Sequence, residues 1–281
     1  MNTLLEPFQF EFFRNGLLAA ALVGGLCGVI GVYIVLRGMS YIGHGLSHAI
    51  FGGAVVSFVM AWNFYLGAGL WGFAAAVLIN QTVRRTRINA DAAIGVITTA
   101  SFAIGVALIS RYRNFTRSFD AALFGNILGV TSGDILAIVG VCILVGVVLF
   151  FGYKQLLFTT FSSDVAQVFG VRTQWIDTMF ALMLAAALIV SMKILGVTLI
   201  AAALVIPPIT ARLLTDSFSR LMLYSTLIGT LTGICGMYTS YFFDLASGAT
   251  IVLFQASLFC VVLAIMSIRR KVAERMVHTH V

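Results

Sequence analysis

Apolar residues run along this chain in stretches of about 20, which is the helix length that a hydrocarbon core of roughly 30 Å requires. Taking the charges as boundaries, nine such stretches stand out, near 16–36, 46–65, 66–83, 93–110, 133–153, 176–193, 194–214, 219–241 and 248–268. Only Trp62-Asn63-Phe64-Tyr65 separates the second from the third, and if those two are one the count is eight. The pattern predicts an all-α integral membrane protein, a bundle of eight or nine transmembrane helices. No low-complexity linker or soluble domain interrupts it, so residues 1–281 read as a single membrane domain. Glu6 and Glu11 precede the first cation, Arg14, and no small-residue cleavage pattern follows, so the first stretch reads as a retained helix.

Composition sharpens this picture. The chain is 60% hydrophobic and 10% charged, against roughly 25% charged residues in ordinary globular domains. A net charge of +7 would suit nucleic acid, but the cations sit at the edges of apolar stretches, where membrane topology accounts for them and no nucleic acid is expected. Lys and Arg concentrate in the inner loops of membrane proteins. With the N-terminus outside, twelve cations fall inside: Arg37, Arg84, Arg85, Arg87, Lys154, Arg172, Arg212, Arg220, Arg269, Arg270, Lys271 and Arg275. Five fall outside: Arg14, Arg111, Arg113, Arg117 and Lys193. The C-terminus is therefore expected in the cytoplasm.

Glycines within the stretches, as in Gly24-Gly25-Leu26-Cys27-Gly28 and Gly67-Ala68-Gly69, let helix backbones approach closely in lipid. Cys27, Cys142, Cys235 and Cys260 are scattered singly through apolar stretches, without metal-type spacing or a disulfide framework, and read as small core hydrophobes.

No G-x-x-x-x-G-K-[ST] phosphate loop is present, since Lys154, Lys193 and Lys271 all lack the preceding glycines. If transport is driven by ATP, a partner supplies it. Residues 162–172 read as a short amphipathic helix in an inner loop: Asp164 near its start suits the helix dipole, Val165, Val168 and Phe169 share a face, and Gly170 ends it. Its apolar side needs a cover, either lipid or a cytoplasmic subunit.

Six segments in order carry a resemblance to a known family. They are Leu36 to Ala49, Asp91 to Gly95, Leu123 to Gly129, Ala166 to Val171, Leu204 to Leu214 around Pro207-Pro208, and Asp244 to Ala249. Together they resemble the permease subunits of bacterial ABC importers for manganese, zinc and iron, the ABC-3 family. The resemblance implies a type II importer permease fold in the bacterial inner membrane and a second permease copy, identical or paralogous. It also implies cytoplasmic ATP-binding subunits and an extracytoplasmic metal-binding protein that delivers the ion. On this resemblance the divalent metal ion is expected to be cargo, with no cofactor bound permanently, and the chain to be a transport subunit rather than an enzyme. The family's loop helix enters a groove of the ATPase, which favours docking through Asp164, Val165, Val168, Phe169 and Gly170. Metal contact in the family maps to His48 and Asp244, while His44 stands where the family has an aspartate.

The residues support part of this unaided. His44 and His48 are four apart, so on a helix they share a face and two neutral imidazoles at that spacing can hold one divalent ion. Ionisable groups in apolar spans are costly and usually functional. The plain alternative is an inner-loop pair bonded to backbone or water. The other histidines, His278 and His280, belong to a solvated tail. Pro207-Pro208 removes two backbone donors and is expected to break or kink its helix, as structure or as a gate. Asp244 precedes the last span and either caps it or takes part in ion entry. A permease for metal chelates is the neighbouring reading. A metalloenzyme built on His44, His48 and Asp244 would need an acid or base beside the metal, and Asp91, Asp164, Asp216 and Glu274 all fall in loops or the tail. A secondary transporter would show more ionisable residues within the spans. An imidazole in place of a carboxylate tilts preference toward borderline ions such as Zn²⁺.

Overall fold

The computed structural model describes residues 5–86, 88–112 and 123–278. Arg87, Arg113, Arg117 and His280 lie outside the described residues, as do the side chains of Lys271, Glu274, Arg275 and His278. Eight of the described helices are long and apolar enough to cross a membrane. They are α1 (Glu11–Leu36), α2 (Ser40–Val59), α3 (Phe64–Arg85), α4 (Ala90–Arg111), α5 (Ser132–Phe161), α7 (Thr173–Leu214), α8 (Phe218–Phe243) and α9 (Ser247–His278), with the short α6 (Ser163–Val168) between α5 and α7. One hydrophobic core runs through α1 to α5 and α7 to α9.

Helix α7 is folded double. Its 42 residues would measure about 63 Å if straight. Yet Phe180, near its start, packs on Tyr33, with ring centroids 6.2 Å apart, and Ala211, near its end, clusters with the adjacent Val32. Both ends of α7 therefore lie at the same end of the bundle. The chain reverses at Gly196, the one residue of α7 with non-helical angles, φ 74° and ψ 164°. Eight helices thus make nine passes, and the arms 173–195 and 197–214 correspond to the stretches read from the sequence as 176–193 and 194–214.

Only glycine is comfortable in the conformation of Gly196. The space around it is equally restrictive, because a Cβ there would strike the Leu123 carbonyl and the backbone of Gly125. Gly125, itself at φ +81°, presses in turn on the Ile194 carbonyl. The Asn126 amide donates to the Lys193 carbonyl at 3.0 Å, and Thr198 donates to the Leu123 carbonyl at 2.8 Å. Gly196→Ala is expected to cost on the order of 3 kcal/mol and to lower Tm in detergent. Gly140→Ala, where a Cβ on α5 meets open space, should hold or raise Tm. Equal Tm values for the two variants would refute this account of the turn.

The break expected at Pro207-Pro208 is not found there. Both prolines are buried within continuous helix, and the interruption lies at Gly196 instead. Pro208 lacks the N–H that the Leu204 carbonyl would otherwise accept. That carbonyl is pressed against Gly31 of α1, where any Cβ would collide with it. The freed acceptor thus faces the α1 backbone at a glycine.

Small residues set the closest helix contact, as the sequence suggested. Gly24 and Gly28 of α1 meet the backbone of Gly229 and Ser225 on α8, Gly233 meets Ala20, and Ser225 donates to the Gly28 carbonyl at 2.7 Å. In lipid, such packing drives association. Gly67 plays the same part between α3 and α2, facing Ser57 and the Gly53 carbonyl. The cysteines are a correction: Cys27 is in the core, but Cys142 is half-buried and Cys235 and Cys260 are exposed on the outside of the bundle.

Candidate functional site

Helix α2 begins at Ser40, six residues before the expected boundary of 46. The reason is packing: Gly43 lies against Leu204 and Gly45 against Ile94 and Thr98, so the polar-looking segment is held against the bundle from Ile42 onward by close approach, while Ser40 and Tyr41 stay exposed. His44 and His48 are therefore on the helix itself, one and two turns in. Their rings are 4.6 Å apart between centroids, and the His48 ring stands edge-on to Phe102 of α4 at 4.9 Å. His48 Nδ1 is buried with no hydrogen-bond partner among the described residues. A buried polar atom left unpaired is costly, and an imidazole nitrogen is also a common ligand for a metal ion. The Ser47 hydroxyl lies 2.7 Å from the His44 carbonyl and 3.2 Å from the Val197 carbonyl, tying α2 to the residue after the α7 turn.

Asp244 is elsewhere. It is the exposed, left-handed C-cap of α8, at the end of the bundle opposite Arg37. It closes α8 rather than opening α9. Among the described residues no three His, Cys, Asp or Glu side chains gather where they could hold a metal ion. The structure unites His44 with His48 and leaves Asp244 apart.

Two ionic clusters were missed from the sequence. At one end, Arg37 donates to Asp177 at 3.0 Å, Thr160 at 3.1 Å and Thr159 at 3.0 Å, and its guanidinium lies over the Phe180 ring. Arg84 of α3 takes the other oxygen of Asp177 at 2.8 Å. This basic end joins α1, α3, α5 and α7 and opens a cavity of about 650 Å³ lined by Arg37, Arg84, Asp164, Gln167 and Asp177. At the opposite end, Asp134 is buried and receives Lys193, Tyr65 and the Thr131 hydroxyl. Thr131 and Asp134 form a capping box at the start of α5, and that T-x-x-D spacing was the available signal. Asp177 had none, because its partners are far away in sequence.

At the basic end, Ser162 caps α6, with the Val165 amide donating to its hydroxyl, and Gly170 at φ +78° ends it. Ala166 is fully buried and Gln167 donates to Thr173 at 2.9 Å, which pins one side of α6 to the bundle. The other side is bare: Val168 is 86% exposed, Phe169 74% and Val165 44%, with Asp164 at the exposed first turn.

A bundle of nine apolar passes with a pinned, apolar-faced helix at its basic end is a multi-pass inner-membrane permease. The profile of the ABC 3 transport family matches residues 9–266, and the chain belongs to that family. It is 34% identical over 254 residues to the manganese transport system membrane protein MntC of Halalkalibacterium halodurans, covering 90% of this chain and 87% of that one. It is 35% identical to the manganese import system permease protein ScaB of Streptococcus gordonii, covering 90% and 91%. Among solved structures, PsaBC from Streptococcus pneumoniae in complex with Fab superimposes with a TM-score of 0.83 at 32% identity, covering 92% of this chain and 94% of that one. An inward-facing metal-chelate type ABC transporter shares the fold, with a TM-score of 0.71 at 17% identity, covering 89% and 85%.

Proposed function

We propose that this permease is the membrane path of an ATP-driven importer of bare divalent metal ions of the manganese, iron and zinc group. The observation that carries the reading is the His44–His48 pair, one turn apart inside a transmembrane helix, with a buried nitrogen that no described residue satisfies. Two imidazoles supply only part of a coordination sphere, so the remaining ligands come from water or from a second permease copy facing the pair. Relatives named for manganese import and for iron transport support the substrate class. Asp244, at the opposite end, serves as an entry point for the ion rather than as part of the same shell. The exposed face of α6 receives a cytoplasmic ATP-binding subunit, and a metal-binding protein docks outside.

The test is uptake into proteoliposomes holding the permease with its ATP-binding partner. ATP-dependent uptake of Mn²⁺, reduced by competing Zn²⁺ or Fe²⁺, is expected. Uptake of a ferric siderophore with no uptake of any bare ion would overturn the reading.

A further inference from the structure

The short helix α6 rests on two supports, the last turn of α5 before it and the first turns of α7 after it. One side chain from outside this loop holds both. The Arg37 guanidinium donates to α5 through Nε, 3.1 Å from the Thr160 hydroxyl, and through Nη2, 3.0 Å from the Thr159 hydroxyl. It donates to α7 through Nη1, 3.0 Å from Asp177, and lies 4.6 Å above the Phe180 ring of the same helix. The Arg37 side chain is only 7% exposed, and all three of its nitrogens are spent on the two ends of the loop that carries α6. Arg84 also donates to Asp177, but its other partner among the described residues is Asn80 of its own helix, so it does not reach α5.

Arg37 is also the joint between α1 and α2. It is the C-cap of α1, and only Gly38 and Met39 separate it from Ser40. The link is closed tightly: Gly38 takes φ +66°, and the Met39 amide donates back to the Ile34 carbonyl at 3.0 Å. His44 follows within the next two turns of the chain.

We propose that Arg37 is a positioning residue for transport. It makes the supports of α6 and the start of α2 one rigid body, so that a push on α6 from the ATP-binding subunit is delivered to the helix bearing His44 and His48. This rests on the roles given above to α6 and to the histidine pair. Coupling between separated sites is carried by packed and hydrogen-bonded elements, and here they are continuous, from the ends of the α6 loop through Thr159, Thr160 and Asp177 to Arg37. A planar guanidinium can hold three acceptors on two helices in a fixed geometry, which the single nitrogen of a lysine cannot. Removing Arg37 should nevertheless leave the fold standing. Asp177 keeps Arg84 and is 35% exposed, while the Thr159 and Thr160 hydroxyls still donate to the Gln155 and Leu156 carbonyls of their own helix.

The test is the number of Mn²⁺ ions carried per ATP hydrolysed by the permease assembled with its ATP-binding subunit in proteoliposomes. Arg37→Met should keep the subunit bound and hydrolyse ATP at the normal rate, while the ratio falls by about tenfold. Arg37→Lys, which keeps the charge but not the fork, should fall in between. Arg84→Met, which removes a bond to the same carboxylate without touching α5, should keep the normal ratio. An unchanged ratio in Arg37→Met, an equal fall in Arg84→Met, or a loss of subunit binding or of Tm in place of the ratio would each overturn the proposal. Spin labels at the exposed Ser40 and Gln174, with Cys142, Cys235 and Cys260 replaced by Ser, read the same rigid body without any cargo. When ATP is added their separation should hold in the otherwise unmodified complex and change in the Arg37→Met complex; equal behaviour of the two would also overturn the proposal. Absence of Mn²⁺ uptake by the unmodified complex would instead count against the cargo reading, and the label distances would then decide the role of Arg37.

Discussion

The Phe169→Asp permease is expected to stay folded in the membrane and to lose its ATP-binding partner, with affinity falling by roughly a hundredfold. A docked aromatic side chain contributes about 2 kcal/mol or more through apolar burial, and a carboxylate in its place adds an unpaired charge to the interface. The fold should not notice, since Phe169 and Val168 are largely exposed while Ala166 and Gln167 hold α6 in place. Phe169 does touch Phe158, at 5.8 Å between ring centroids, so Val168→Asp is the cleaner companion. Co-purification of the two subunits reads the effect directly, with Tm of the permease alone as the control. If both variants co-purify as the unmodified protein does, α6 is not the coupling element.

His48→Ala should abolish metal-dependent uptake while assembly and Tm stay close to normal. The side chain is half-buried and its Nδ1 has no partner among the described residues, so little is lost from the fold when it goes. His44 comes second in effect, because it is the partner ring at 4.6 Å and stands nearer the basic end. His44→Asp should keep uptake and shift competition toward Mn²⁺, since oxygen ligands suit harder ions. Metal uptake by His48→Ala at the normal rate would make the pair a packing feature of α2.

Much of the fold was legible because a span announces itself by length. Even the four residues between the second and third spans sufficed, since Asn63 caps α3 by accepting from the Tyr65 amide at 2.9 Å. The start of α2 was misplaced because glycines that look like loop are packing positions. The division of α7 was read at Lys193 from its charge, but its turn residue was not, since Gly196 is one of 27 glycines and only contact with Leu123 and Gly125 gives it meaning; a further break was expected at Pro207-Pro208 because proline carries a local rule. Of the site, the histidine pair and the loop helix were readable from spacing. Asp177 was not, since its role depends on Arg37, 140 residues away.

A reversal made by a single residue contains no slack. The arms of α7 cannot slide past one another without breaking the backbone contacts at Leu123, Gly125 and Ile194. They form one rigid hairpin that starts from the residues following α6. Its first arm, 23 residues from Thr173 to Leu195, is about 35 Å long. A tilt of about 10° at the α6 end would carry the Gly196 tip, and the Leu123 and Gly125 backbone pressed against it, through about 6 Å.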